Sequence, residues 1–442
     1  MNSSVNRRSF LRALGATSGM ALLGSRVQVA AQTQAAPPNP ERKPWYELGL
    51  MDDPIMDNQL LHFLAATYSA QADIGEVLDT AHRIAPGDEW SWPTQWIRTA
   101  DRIRTMGDES LAKKRQLSAG NAYLRAANYY RAALIHHPEP KDPSVLETGR
   151  RAVSTYDKAI SLLKIPAQAV RIPYQGTTLP GYFFRSPIAR GSAPVLIFHQ
   201  GRDAWPEESK YIIDAALERG DHCLIFHAPG QGMAIREQGL PFRPDWEKVI
   251  TPVVDFATRI SGVDAKRIAL MGASMGGALV PRAAAFEKRI KILIANPGVL
   301  NWGKAMFDQF NGYFPEVMAL LEKDPNAFDA AMAQIMKAVP LYRWYMKDSM
   351  NKHGASTPSD LMIRLKEFNN EPIVERITCR TLVMDGTAEA FSVGQAKLLF
   401  DALKAPKEYM LFTEEDTGLM HVQEAAQAVA NHRMFDWLDE YL

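Results

Sequence analysis

The stretch Gly272-Ala273-Ser274-Met275-Gly276 has the Gly-x-Ser-x-Gly spacing. It follows an apolar run, Arg267-Ile268-Ala269-Leu270-Met271, and leads into Gly277-Ala278-Leu279-Val280. A strand that turns sharply into a helix lifts the central serine hydroxyl above the sheet edge, and so crowded a turn leaves no room for Cβ atoms on either side. The chemistry open to such a serine is nucleophilic attack on an acyl carbon. A serine hydroxyl is a weak nucleophile, however, and needs a histidine base, a carboxylate to orient that base, and donors for the developing oxyanion.

In the sheet architecture that uses this turn, the partners follow the serine in the order acid, then histidine. The chain supplies both in that order. His421 lies in Thr417-Gly418-Leu419-Met420-His421, a short glycine-containing loop after the last strand, from which an imidazole can swing over Ser274. The later His432 falls on a terminal helical stretch and is badly placed to do so. For the acid there are two candidates past the strand Arg380–Met384: Asp385 and Glu389. An acid that meets the histidine sits beyond the strand end, above the sheet, which favours Glu389. Asp385 is expected to cap the turn instead.

Oxyanion donors are expected from two backbone N–H groups. Met275 opens the helix after the elbow, where the helix dipole assists. The second donor is expected on the loop His199-Gln200-Gly201-Arg202-Asp203, where Gly201 permits close approach and Arg202 carries the N–H. The turn Ala228-Pro229-Gly230-Gln231-Gly232 lacks the Lys-Ser/Thr of a phosphate loop and reads as a tight turn at a strand end.

The elements that must position these residues are legible in the texture of the chain. From Gln168, short apolar runs alternate with amphipathic segments. Strands are expected at Ala169–Tyr174, Leu179–Arg185, Val195–His199, His222–Phe226, Arg267–Met271, Lys291–Ala295, Arg380–Met384 and Glu408–Phe412. The spacing of the last six implies a mostly parallel sheet covered on both faces, an α/β fold. The long interval between Ala295 and Arg380 is read as a helical lid, about residues 299–375. Its Trp302, Phe307, Phe310, Tyr313, Phe314, Trp344 and Tyr345 either line a substrate cavity or bury the lid. Residues 45–165 carry helical periodicity and almost no strand signal, which predicts a helical domain of four to six helices before the catalytic domain, 166–442. No fixed repeat marks it as a repeat-type binding module.

The first 31 residues differ. Arg7-Arg8-Ser9-Phe10-Leu11, a short mildly apolar stretch and small residues around Ala30-Ala31 match a twin-arginine export signal, followed by a Pro-rich linker, 32–44. The apolar stretch is too short to be a membrane span, so a soluble periplasmic or secreted mature protein is expected. Its 50 Lys and Arg balance 50 Asp and Glu, which leaves no basic field for nucleic acid. The scattered histidines offer no zinc-ligand spacing, so neither metal nor cofactor is expected. The two cysteines, Cys223 and Cys379, fall in or beside strands several positions apart in the expected sheet. That exceeds the roughly 7 Å reach of a disulfide, and two buried free thiols are expected.

The combination of motifs resembles the α/β-hydrolase superfamily. More narrowly, it is similar to the FrsA-like and 2,6-dihydroxypseudooxynicotine-hydrolase-like branch, in which a helical domain precedes the sheet. The carrying segments are Ala126-Ala127-Asn128-Tyr129-Tyr130-Arg131, Gly230-Gln231-Gly232, Ile268–Gly277, Pro281-Arg282-Ala283-Ala284-Ala285-Phe286, Gly394-Gln395 and Phe435-Asp436-Trp437-Leu438. The chain departs where the acid, usually Asp, is Glu389, where an acidic neighbour is Thr387, and where Ala228 stands in place of a common Asp. The resemblance implies an eight-stranded, mostly parallel sheet and a serine triad of Ser274, Glu389 and His421. It also implies ester hydrolysis or, alternatively, cleavage of a carbon–carbon bond beside an aromatic ketone. A peptidase-like activity is disfavoured because no propeller-type domain precedes the sheet. A non-catalytic binding scaffold is disfavoured because all three triad positions are filled. The expected partner is a small-molecule substrate, and a homodimer is compatible with the sequence.

Overall fold

The computed structural model describes residues 43–442; the expected export signal and nearly all of the linker lie outside them. Residues 43–47 form a short turn closed by the Glu47 N–H on the Pro44 carbonyl. Leu48–Leu442 is a single compact unit.

Its first part is helical: α1 (Pro54–Ala65), α2 (Ile74–Arg83), α3 (Ser91–Ala112), α4 (Gln116–Ile135) and α5 (Pro143–Leu162). The starts of α1 and α5 follow from the sequence. Asp53 and Asp142 cap them through their side chains, and Pro54 and Pro143 occupy the first turn, where a missing N–H costs nothing. Helix α4 is buried along nearly its whole length, from Ala119 to Ile135. Its small residues let neighbours approach closely, and Tyr129 and Tyr130 pack against the Trp92–Trp96 pair of α3.

The chain then builds β1 (Ala167–Tyr174), β2 (Thr177–Phe184), β3 (Ala193–His199), β4 (His222–Phe226), β5 (Val263–Ala273), β6 (Ile292–Asn296), β7 (Arg380–Gly386) and β8 (Lys407–Phe412). They lie side by side in the order β1-β2-β4-β3-β5-β6-β7-β8. The pairs β1/β2 and β2/β4 are antiparallel. From β4 to β8 every pairing is parallel. Alternation along each strand feeds two cores. Val195 and Ile197 of β3 and Ile268 and Leu270 of β5 face the helices Glu247–Ala257 and Gly276–Phe286. Leu196, Phe198, Ala269 and Met271 face the opposite way, toward the helices Lys210–Leu217 and Gln427–Tyr441 and the α4/α5 residues Tyr123, Leu124 and Tyr156. The N-terminal helices thus cover part of one sheet face.

Between β6 and β7 the lid region carries helices Trp302–Tyr313, Pro315–Met318, Pro325–Ala338, Pro340–His353 and Pro358–Lys366. Four of them begin on a proline, the residue best suited to the first helical position. Trp302, Phe310 and Trp344 are buried, while Phe307, Phe314 and Tyr345 pack half-buried against the same core. Among the described residues no helix is long and apolar enough to cross a membrane.

One expectation needs correction. Both cysteines are free, but only Cys223, inside β4, is buried; Cys379 is half-buried. It precedes β7 by one residue and packs against the edge of the hydrophobic core.

Candidate active site

Strand β5 ends at Ala273, and the chain reverses at Ser274 with φ of 57°, a left-handed conformation rare for a residue with a Cβ. Neighbouring structure holds it there. The Ser274 N–H donates to the Asn296 carbonyl of adjacent β6 at 2.6 Å. A methyl group on Gly272 would lie 2.3 Å from the Gly276 carbonyl oxygen, and one on Gly276 would lie 2.8 Å from the His199 carbonyl oxygen. The glycine spacing read from the sequence is therefore a packing requirement.

Above this turn the structure brings three predicted residues together. His421 Nε2 lies 2.9 Å from Ser274 Oγ, and its Nδ1 lies 2.6 Å from Glu389 Oε2. The other carboxylate oxygen of Glu389 accepts the N–H groups of Phe391 (2.8 Å) and Ser392 (2.9 Å). The Phe391 ring meets the imidazole edge to face at 4.7 Å. Burial works against charge on the Glu389 carboxyl. The adjacent His421 and the two backbone donors outweigh it and hold that carboxyl below its ordinary range. Burial likewise opposes the imidazolium, but the Glu389 charge and hydrogen bond prevail, so His421 titrates above the ordinary histidine value.

The rejected candidates sit elsewhere. Asp385 accepts the Gly386 N–H at 2.9 Å and the Tyr409 hydroxyl at 2.7 Å. His432 is exposed on the C-terminal helix beside Asp436.

Met275 caps the helix Gly276–Phe286, and Gly201 lies directly against the serine. A methyl on Gly201 would stand 2.6 Å from Ser274 Cβ and 3.0 Å from its Oγ. Among the described residues neither the Met275 N–H nor the Arg202 N–H meets a backbone acceptor. The start of the helix at Met275 and the Gly201 backbone thus flank the serine, where the two expected donors would serve a developing negative charge.

Several positioning groups escaped the sequence reading. Gln231, assigned there to a tight turn, does more: its Nε2 donates to the carbonyls of Gln200 (2.8 Å) and Gly201 (2.5 Å) and braces the loop beside Ser274. The turn is there, closed by the Gln231 N–H on the Ala228 carbonyl at 2.9 Å, and it gains this bracing role because β4 lies next to β3, so the two strand-end loops meet. Asn296 Nδ2 donates to Gln423 Oε1 at 2.8 Å, tying β6 to the histidine loop. The Arg202 side chain forms buried ion pairs. It reaches Asp203 at 2.8 Å and, through its other nitrogen, Asp348 of the lid at 2.5 Å, with Ser349 Oγ at 2.9 Å. Lys352 completes this cluster by pairing with Asp203 and, at 2.9 Å, with Asp348. The i, i+4 spacing of Asp348 and Lys352 was its visible signal. Among the described residues no group of three or more metal-ligating side chains is gathered.

Residues 179–432 match the alpha/beta hydrolase family. The chain belongs to that family. Curated relatives of this α/β hydrolase match it over nearly their full length. Hydrolase LUC6 of a Fusarium species is 32% identical over 400 residues, covering 86% of this chain and 95% of the relative. The 20-hydroxy-prefusarin hydrolase FUS2 of Gibberella moniliformis is 30% identical over 399 residues, with the same coverage. Among solved structures, 2,6-dihydroxy-pseudo-oxynicotine hydrolase superposes with a TM-score of 0.67 at 21% identity, over 86% of this chain and 95% of that one. Shares of that size include the helical layer as well as the sheet.

Proposed function

We propose that this α/β hydrolase is an exported serine hydrolase that opens a small to medium-sized carboxylic ester through an acyl-enzyme on Ser274. The observation that carries the reading is the unbroken relay from Ser274 Oγ through both nitrogens of His421 to Glu389, at 2.9 and 2.6 Å. In the first half-reaction Ser274 Oγ bonds to the ester carbonyl carbon while His421 Nε2 takes the hydroxyl proton. The carbonyl oxygen, now anionic, accepts from the Met275 and Arg202 N–H groups. The ester C–O bond then breaks and His421 protonates the leaving alkoxide. A water, deprotonated by His421, then bonds to the acyl carbon, the bond from that carbon to Ser274 Oγ breaks to release the acid, and His421 returns the proton to Ser274 Oγ.

A second reading uses the same residues to split a carbon–carbon bond beside an aromatic ketone. It is favoured by the aromatic wall that Phe391 places against His421.

A fluorophosphonate probe tests the nucleophile: wild-type protein should label at one site and Ser274→Ala should not. An unlabelled wild type would sink the proposal. A panel of p-nitrophenyl esters against aryl β-diketones, compared by kcat/KM, then decides which bond is broken. Export rests on the Arg7-Arg8 pair. Replacing both with lysine should abolish periplasmic accumulation, and unchanged accumulation would remove the twin-arginine assignment.

A further inference from the structure

The loop that carries His421 is held in an unusual backbone shape. Thr417, Val422, Gln423 and Ala425 all have positive φ, between 49° and 62°, and none is glycine. Such a run persists only when surrounding contacts over-determine it. One contact is the Asn296–Gln423 hydrogen bond. Another comes from the helical layer. His62, on α1, points its Nδ1 at Glu424 Oε1, three residues past His421, at 3.4 Å. Its Nε2 lies 3.3 Å from Glu208 Oε2. Glu208 belongs to the loop after β3, the loop that contains Gly201 and Arg202, and its Oε1 accepts the Trp205 N–H of that loop at 2.7 Å. One imidazole therefore joins the two loops that flank Ser274, and it can donate to both carboxylates only when protonated.

We propose that His62 is a positioning residue for the Ser274–His421–Glu389 site, a cationic strap from the helical layer that holds the oxyanion loop and the histidine loop at their working separation. This rests on the catalytic reading of that site. Every charged or titratable group that faces His62 fits the role. Glu208 and Glu424 supply the counter-charges, one from each loop. Arg131 of α4 pairs with Glu208 and lies over the Phe63 ring, next along α1. Tyr211, on the helix after the oxyanion loop, is kept neutral by burial and by the same two carboxylates. Burial and Arg131 disfavour charge on His62, but the two carboxylates outweigh them and push its pKa up to about 9. The strap is therefore fully charged at neutral pH and is lost as pH rises through that value.

The test is the rate of fluorophosphonate labelling against pH for wild type, His62→Gln and Glu424→Gln. Wild-type labelling should fall along an alkaline limb centred near 9. His62→Gln should label several-fold more slowly at neutral pH and show no such limb. Glu424→Gln leaves His62 in place but removes its hold on the histidine loop; it should behave alike, and it keeps the test open if His62→Gln folds poorly. The same limb in wild type and either folded variant overturns the proposal, because a merely structural role would leave the profile unmoved. An independent readout is the NMR titration of the His62 ring. A midpoint near 9 that drops in Glu424→Gln supports the strap, and a midpoint below the ordinary histidine value overturns it. A wild type that resists the probe at every pH overturns the serine reading, and the ring titration alone then judges the strap.

Discussion

Glu389 differs from aspartate by one methylene, and the site uses that length. Its carboxylate reaches across from the loop beyond β7 to His421 while its second oxygen is pinned by two backbone N–H groups. A glutamine there keeps the shape but loses the charge that stabilises an imidazolium. Glu389→Gln should lower kcat by about 10⁴-fold, the size of loss seen when a triad carboxylate is neutralised or removed. Asp385→Asn, which makes no hydrogen bond to the relay but pairs with Gly386 and Tyr409, should stay within about tenfold of wild type by the same measure. The pH profile gives the sign. His421 acts as a base only when neutral, and Glu389 raises its titration point. Activity should therefore fall as pH drops through a midpoint above the ordinary histidine value, and Glu389→Gln should move that acid limb to lower pH. A limb that stays in place would show that Glu389 does not face the working imidazole.

At the scale of elements, the sequence was most informative where local chemistry alone dictates the outcome. All eight strands form within a few residues of their expected bounds, and the short apolar runs among them are what a covered parallel sheet requires where β4 to β8 pair in parallel. The elbow was legible because its Gly-x-Ser-x-Gly spacing is a local pattern, even though Gly276 also answers to His199 on β3. Glu389 was preferred over Asp385 from its distance past a strand end, which is again local. What stayed hidden depends on strand order. Gln231 braces the Gly201 loop only because β4 lies beside β3, and Asn296 reaches Gln423 only because the loop after β8 folds back to the serine at the end of β5. No spacing along the chain encodes those adjacencies. The same holds for His62, which lies on α1, far in sequence from the loop it touches.

At the scale of the molecule, the helical layer, sheet and lid form one body from Leu48 to Leu442. The lid is fastened to the sheet by charge. Arg202 and Lys352 share Asp203 and Asp348, and three of the four are almost fully buried. Removing one member of a buried ionic cluster leaves a charge without its partner, at a cost of about 3–5 kcal/mol. Asp348→Ala should accordingly lower Tm by several degrees in thermal unfolding, whereas an exposed pair such as Lys397–Asp401 should contribute little. An unchanged Tm for Asp348→Ala would mean that water or another group neutralises Arg202. Arg202 has a second duty in the proposed chemistry, where its main-chain N–H is an oxyanion donor while its guanidinium grips the lid. On that proposal, a motion that parted the helix Pro340–His353 from Arg202 would also release the residue that steadies the oxyanion. The proposed hydrolase would then be armed only when shut, and an unlidded serine, though exposed to every passing acyl group, would be a blunt one.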